Sequence, residues 1–456
     1  MVREGRCMQR KGAWTAVWSP ISLATIGSVL EKEGFGVKLS DCIVENIDFK
    51  KLEENIKDFK PDLVIINTAT PSIESDLEVA KVVKVFDRKI VTAAFGIHVT
   101  ALPEESLRRQ KSLDIVIRGE PEDTIKELAS FICENKDIYK TKGISFLRNN
   151  KTIHNPDREL IKNLDELPFP AWHLVDISKY TLPFKNKQFL LVDTGRGCPY
   201  NCAFCNAATF YGHQIRLRSV EKLVDELAWV KEKFKVDEFL FWTESFTLNP
   251  NYAKAVCQEI IRRNLRISFV CNSRVTGVDE ELMQWLKKAG CWMVGYGVES
   301  GNQQVLDRAN KKITLGDIRK TVKMAKDVGL EVTGHVIFGL PGETKQTMEE
   351  TLKFCLDIDL DFAQFYCAVP FPGSYFYQEA KKNNWIIDSA WPYFEQNFCV
   401  LNYGHLSAKE IMDFRKKSFR KFYLRPKMVV KTLKKIDSFA GLKYFLSMIK
   451  DFITWI

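Results

Sequence analysis

The chain has 456 residues, 45% hydrophobic and 27% charged, with a net charge of +9, which is enough apolar content to build two or three globular domains. No apolar run is long enough to cross a membrane, and no apolar stretch follows the polar Met1–Arg6 start, so a cytoplasmic protein without a secretion signal is expected. Residues 407–456 hold 13 Lys/Arg against 4 Asp/Glu while the remainder balances at 54 against 54, so the basic character belongs to the tail and no nucleic-acid partner is expected.

Residues 1–140 read as one α/β domain. A helix Ile21–Glu33, a strand Gly36–Ser40, a helix Leu52–Phe59 and a strand Asp62–Ile66 come first. A helix Glu74–Phe86, strands Lys89–Ala94 and Asp114–Ile117 and a helix Glu122–Glu134 follow. This alternation predicts a doubly wound, Rossmann-like parallel sheet that binds ligands beyond the carboxyl ends of its strands. Three loops leave those ends: Asn67–Ser72 with Thr68, Thr70 and Ser72; Gly96–Glu104 with Gly96, His98, Val99 and Thr100; and Arg118–Pro121 with Gly119 and Glu120. Small hydroxyl residues and glycines suit a large flat ligand approached by backbone. A nucleotide-binding or purely structural sheet is the alternative.

Residues 141–188 read as a hairpin and a linker. Gly143–Phe146 and Thr152–His154 flank an Asn149-Asn150 turn. The stiff, proline-rich stretch Leu167–His173 then carries Trp172 and His173, expected to serve domain packing rather than to reach a cavity.

Residues 189–370 hold six predicted strands, Phe189–Asp193, Glu238–Trp242, Ser268–Cys271, Trp292–Gly295, Glu331–Phe338 and Phe362–Tyr366. Between them lie helices Val220–Phe234, Tyr252–Arg263, Glu280–Ala289, Gln303–Asn310 with Leu315–Val328, and Thr347–Asp357. Six strand–helix units predict an open, partial (βα)6 barrel with its chemistry at the carboxyl ends of the strands. The first such end leads into Thr194-Gly-Arg-Gly-Cys-Pro-Tyr-Asn-Cys-Ala-Phe-Cys-Asn206, which sets Cys198, Cys202 and Cys205 in a C-x-x-x-C-x-x-C pattern. Three thiolates on one short loop can hold three irons of a 4Fe–4S cluster and leave the fourth open. The alternatives are a structural zinc site, for which His213 fits no usual spacing, or thiols packed as small hydrophobes. The other nine cysteines (Cys7, Cys42, Cys133, Cys257, Cys271, Cys291, Cys355, Cys367, Cys399) read as reduced and buried.

Residues 371–456 open with a turn at Phe371–Ser374 and an aromatic-rich stretch Trp391–Asn402 that could wall a substrate cavity. Ser407 is the expected N-cap of a basic amphipathic helix that Pro426 stops. A last segment gathers Leu442, Phe445, Met448, Ile449, Phe452 and Ile456 on one face, read either as a helix packed on the barrel or as a peripheral contact with an anionic membrane.

With Phe204 before its third cysteine, the loop resembles the cluster motif of the radical S-adenosylmethionine (SAM) superfamily. Nearly the whole chain resembles the subgroup with an N-terminal cobalamin-binding domain, which includes anaerobic Mg-protoporphyrin monomethyl ester cyclase and several C-methyltransferases. The resemblance implies a 4Fe–4S cluster on Cys198, Cys202 and Cys205, SAM at the open iron, and cobalamin against the three N-terminal loops. The D-x-H-x-x-G motif of another cobalamin class is absent, and His98 is expected near the corrin edge rather than on cobalt. The resemblance further implies that Glu244 and Ser245 meet the methionine amino group, Asn272 and Arg274 its carboxylate, Glu299 and Ser300 the ribose, and the segment with Gly334 and Gly339 the adenine. The family's opening strand has no counterpart in Val2–Met8, which points to a start placed too late and a gap in mid-sheet.

The implied reaction generates a 5′-deoxyadenosyl radical and methylates an unactivated carbon of a hydrophobic or complex small molecule, such as a lipid or tetrapyrrole. A flavodoxin or ferredoxin would serve as external electron donor. A cyclase or other oxidoreductase of the same cofactor set is the first alternative. The others are a methylthiotransferase with a second cluster on Cys7, Cys42 and Cys133, and a sensor without turnover.

Overall fold

The computed structural model describes residues 17–182, 187–388 and 390–433. The apolar segment expected at 442–456 lies outside the described residues, as does Cys7.

Strands β1 (Leu63–Asn67), β2 (Val91–Phe95) and β3 (Ile115–Ile117) run parallel. Strands β4 (Ile144–Arg148) and β5 (Lys151–His154) join antiparallel, giving the order β1-β2-β3-β4-β5. The hairpin expected with the linker therefore completes the first sheet, with Phe146 opposite Ile115. Asn149 at φ 51° and Asn150 at φ 62° take the left-handed pair that a two-residue hairpin turn requires. Period-two alternation fills both faces. Ala93 and Phe95 join Ile26 and Leu30 of helix Ile21–Lys32 and Ile125 and Leu128 of helix Glu122–Cys133. Ala94 turns the other way, to the core that holds Leu77 and Ala80 of helix Ile73–Phe86.

The strand expected at Gly36–Ser40 is an unpaired extended segment. Its apolar alternation is satisfied by packing, Val37 against one core and Leu39 against another, but among the described residues no neighbour offers it a ladder.

The second sheet opens with β6 (Leu190–Asp193), after which β7 (Gly195–Arg196) and β8 (Arg216–Leu217) form a small antiparallel pair around the cysteine loop. Strands β9 (Glu238–Trp242), β10 (Ser268–Ser273), β11 (Cys291–Glu299), β12 (Glu331–Phe338) and β13 (Phe362–Cys367) complete an all-parallel sheet in the sequential order β6-β9-β10-β11-β12-β13. Helices Val220–Phe234, Pro250–Arg262, Glu280–Lys288, Leu315–Asp327 and Lys345–Asp357 cover its outer face. That face is sealed: Val294, Tyr296 and Val298 of β11 and Val332, Val336 and Phe338 of β12 are all 0% exposed. The inward-facing Asn272, Met293, Gly297, His335 and Gln364 keep part of their surface open.

The two sheets share one continuous core, in which Ile66 and Ala94 of the first lie with Leu190 and Leu191 of β6 and the buried Trp172. Ala171 N donates to Ala24 O at 2.9 Å, and His173 meets Glu31 at the surface, so the linker serves packing between domains. Ser407 caps helix Ala408–Tyr423 through a reciprocal box with Glu410, and Phe419 and Phe422 pack edge-on against Phe365 of β13. Among the described residues no helix is long and apolar enough to cross a membrane.

Candidate active site

The cysteine loop is held by its backbone. Gly197 at φ 89° allows an approach in which a Cβ would lie 2.1 Å from Gln214 O, so no other residue fits there. Cys198 N donates to Gly212 O, Cys205 N to Cys202 O, Ala203 N to Ala309 O and Ala207 N to the Cys205 sulfur. The three thiols are partly exposed and line one cleft of about 590 Å³ with Tyr200, His213 and Arg308. Six other cysteines are buried, and burial pushes the thiols of Cys355 and Cys367 up to about 12. Cys133, expected buried, is exposed at the end of its helix, and Cys42 is half-buried. Among the described residues no three His, Cys, Asp or Glu side chains converge on one metal ion, and His213 Nδ1 turns to Cys198 O at 3.3 Å. A single zinc ion does not fit these thiols. A cluster in which each thiolate takes a separate iron does.

Arg274 joins this loop to the barrel. Its Nη1 lies 3.8 Å from the Cys202 sulfur, its Nη2 donates to Lys311 O, and its guanidinium stacks 3.6 Å over the Tyr200 ring. Its Nε is buried with no hydrogen-bond partner, which leaves one donor for a ligand carboxylate. Ser245 Oγ accepts from Arg274 N at 3.1 Å, so this serine orients the arginine. Glu244 is half-buried beside it. Glu299, in the left-handed region at φ 59°, holds Lys311 at 2.6 Å with both side chains 8% exposed. A Cβ on Gly297 would lie 2.5 Å from Glu299 Oε1 and 2.6 Å from Lys311 Nζ, so this glycine keeps a polar cradle open. Lys311 Nζ also lies 5.8 Å from the Phe204 ring.

Of three further residues assigned by resemblance, one turns its side chain to the helix side and two are glycines in close packing. Ser300 is 0% exposed and pairs with Thr351 Oγ1 at 3.0 Å on the helix side. A Cβ on Gly334 would lie 2.5 Å from Leu360 Cδ1 and one on Gly339 2.9 Å from Ile411 Cδ1. Both glycines admit packing from outside the barrel. The period of two that sends Gly334 outward sends His335 inward, a signal present in the sequence and not used there.

In the first sheet the three loops knit to one another. Thr68 Oγ1 donates to Phe95 O at 2.8 Å, and a Cβ on Gly96 would lie 2.4 Å from Thr68 O. Thr100 Oγ1 accepts from Gly119 N at 3.1 Å. Ser72 Oγ bonds Asp76, and Val99 is fully buried. The segment 97–104 is helical rather than a loop, in pieces Ile97–Ala101 and Pro103–Arg109. His98 is 1% exposed, shares a hydrogen bond with Thr70 Oγ1 at 3.3 Å, and lies under the edge of Trp391 at 4.7 Å. Burial, helped by Arg109, lowers its pKa to about 3. It is thus packed between Thr70 and Trp391.

Glu120 has a role the sequence does not reveal. Its carboxylate meets Arg196 Nη1 at 3.1 Å and Arg216 Nη1 at 2.7 Å and accepts from Ile161 N at 2.8 Å. Arg196 also holds Glu122 at 2.7 Å and Asp193 at 2.9 Å. Burial opposes the charge on Arg196, but the carboxylates of Glu122, Asp193 and Glu120 outweigh it and push its pKa up. Glu120 therefore rivets the first sheet to the strand that enters the cysteine loop, with both its oxygens engaged in these contacts.

Residues 13–129 match the B12 binding domain and residues 192–355 the Radical SAM superfamily. The chain is 34% identical over 414 residues to an uncharacterized methyltransferase of Pyrococcus horikoshii, covering 91% of this chain and 90% of that protein. It is 28% identical over 417 residues to the anaerobic magnesium-protoporphyrin IX monomethyl ester cyclase of Rubrivivax gelatinosus, covering 89% of this chain and 74% of the cyclase. Its fold is similar to that of the radical SAM methyltransferase TsrM from Kitasatospora setae, solved with cobalamin and a [4Fe-4S] cluster, with a TM-score of 0.69 at 19% identity over 82% of this chain and 74% of that one.

Proposed function

The chain belongs to the family of radical SAM enzymes that carry a cobalamin-binding domain, and we propose that it methylates an unactivated carbon of a small, largely apolar molecule. The observation that carries this reading is the rivet through Glu120, Arg196 and Arg216. It fixes the ligand-binding ends of the first sheet against the cysteine loop, so that two cofactors can serve one substrate. When bound, the cluster and cobalamin supply one-electron cleavage of SAM and a transferable methyl group.

The chain's own groups then have distinct tasks. Cys198, Cys202 and Cys205 hold the cluster, and Arg274 keeps the loop closed and offers Nε to a carboxylate. The Glu299–Lys311 pair presents a preset charge beside Gly297, and Glu244 stands ready for an ammonium group. Under the same proposal an external one-electron donor of the flavodoxin or ferredoxin type feeds the cluster. The basic tail makes any contact with an anionic membrane that a lipid substrate would require.

The test is anaerobic reconstitution with SAM and candidate substrates, followed by mass analysis. Methyl transfer requires 5′-deoxyadenosine and S-adenosylhomocysteine together with a substrate heavier by one methylene. Glu244→Ala and Glu299→Ala should depress both nucleoside products in parallel. Turnover that yields 5′-deoxyadenosine alone, with no mass gain, would replace methyl transfer by cyclisation.

A further inference from the structure

Helix Ala408–Tyr423 runs along the outside of the second sheet from one end of its strands to the other. It starts beside the carboxyl end of β12, where the Tyr403 hydroxyl donates to Gly339 O at 2.6 Å and His405 Nε2 lies 3.0 Å from Glu343 O. It finishes beside the amino end of β13, where the Tyr423 hydroxyl donates to Ala363 O at 2.8 Å. There the chain turns at Pro426 into helix Pro426–Leu433, and Lys427 holds Asp359 at 2.7 Å. The elbow between the two helices therefore stands at the end of the sheet opposite the cysteine cleft.

The elbow is uniformly basic. Residues 414–433 carry eight Lys/Arg and no Asp/Glu. Arg415 turns inward, 3% exposed, and donates to Phe365 O, while Lys417 meets Glu349 of a neighbouring helix. Lys416, Arg420 and Leu424 follow at four-residue spacing and share one exposed helix face, with Lys421 beside them.

Among these cations stand two surplus aliphatic side chains. The core contacts of both helices are already made by Phe419, Phe422 and Met428, which are 0%, 0% and 2% exposed, whereas Leu424 is 64% and Val430 50% exposed. Aliphatic tips set among ammonium and guanidinium groups match the face of an anionic bilayer, whose acyl boundary takes the tips and whose phosphates take the cations. A single-stranded nucleic acid would ask for aromatic rings to stack on, and here Phe419, Phe422 and Tyr423 are buried. The sequence beyond residue 433 continues in the same mixture, with Lys434 and Lys435 leading into the apolar spacing of 442–456.

We propose that the elbow around Leu424 and Val430 is a docking surface for the face of an anionic lipid bilayer. The inference goes beyond the reaction and stands independently of it. With the elbow on the bilayer, the cysteine cleft at the far end of the sheet is turned to water, where a soluble electron donor reaches it.

The test is co-sedimentation of the full chain with vesicles of phosphatidylcholine alone or of equal parts phosphatidylcholine and phosphatidylglycerol. Binding to the anionic vesicles should be at least about tenfold tighter and should weaken as salt is raised. Leu424→Ser with Val430→Ser should weaken it about tenfold, and Lys416→Glu with Lys421→Glu at least as much. All four side chains are exposed, so the melting temperature should stay where it is and report a folded protein. Both variants keep the chain beyond residue 433, so their losses measure the elbow. Lys50→Glu with Lys111→Glu, exposed positions of the first domain, makes the same change in net charge and should leave binding intact. Equal binding to both kinds of vesicle overturns the proposal, as does an equal loss in the elbow and first-domain reversals. Release from the vesicles by a single-stranded oligonucleotide, with no loss in the serine variant, would assign the surface to nucleic acid and overturn it as well.

Discussion

The carboxyl ends of the two sheets meet the cofactor region with opposite strategies. On the first sheet the hydroxyls and the histidine are occupied with one another, Thr68 with Phe95, Thr70 with His98, Thr100 with Gly119. What that end offers a ligand is backbone and contour. On the second sheet three partly exposed thiols line a cleft, the buried Nε of Arg274 lacks a hydrogen-bond partner, and Glu299 and Lys311 pair beside a glycine. Under the proposed function one sheet would recognise by shape and the other by ligating atoms, so substitutions on the two sides should fail in different ways.

The largest expected effect is on the ligating side. Cys198→Ala, Cys202→Ala or Cys205→Ala should abolish the cluster of about four irons, read by iron content and visible absorption. About eight irons in the parent protein would instead reveal a second cluster and break the comparison. Next comes the seam. Glu120→Ala leaves Arg196 and Arg216, 6% and 4% exposed, without their shared carboxylate and should cost about 3–5 kcal/mol in denaturant unfolding.

On the shape side, Gly96→Ala drives a Cβ to 2.4 Å from Thr68 O at a φ of 130° and should cost about 1–3 kcal/mol. Cobalamin uptake should fall with it. His98→Ala, its neighbour by two residues, should retain cobalamin with an unchanged spectrum. A spectrum that loses a nitrogen ligand would put imidazole back on cobalt and erase the contrast.

The smallest effect is a pH slope. Burial raises the pKa of Glu343 to about 8, against the N–H groups of Gly339 and Leu340. The folded protein therefore binds this proton where the unfolded chain has released it. The associated stability is complete below about 4.5 and is lost as pH rises to about 8. Glu343→Gln should flatten that part of the stability profile.

The cluster loop was legible because its ligands are consecutive on one short segment and need no tertiary information. The barrel strands were legible from short apolar runs alternating with helical segments, so all six appear within a few residues of their expected bounds. The ion pairs of Glu120 were not legible because its arginines lie 76 and 96 residues away in sequence, and a glutamate after a strand looks the same whether it meets a cofactor or a cation. For Ser300 and Gly334 the sequence names no face. A motif names a neighbourhood, and only the pleat says which side chain turns inward. The unpaired Gly36–Ser40 shows the complementary limit, since a strand pattern is a property of a segment and a strand is a property of a pair.

The seam at β6 bears on any attempt to study the barrel by itself. Strand β6 is the outermost strand of its sheet, and Leu191 N is satisfied by Ser19 Oγ at 3.2 Å, beneath helix Ile21–Lys32. A fragment starting at residue 189 would strip that cover from a flat run of Leu190, Leu191 and Val192, each 0% exposed in the whole protein. Such an edge templates pairing with further copies of itself. Truncation at this boundary would then yield precipitate and inclusion bodies instead of a minimal catalytic unit, and expression trials should keep both halves on one polypeptide.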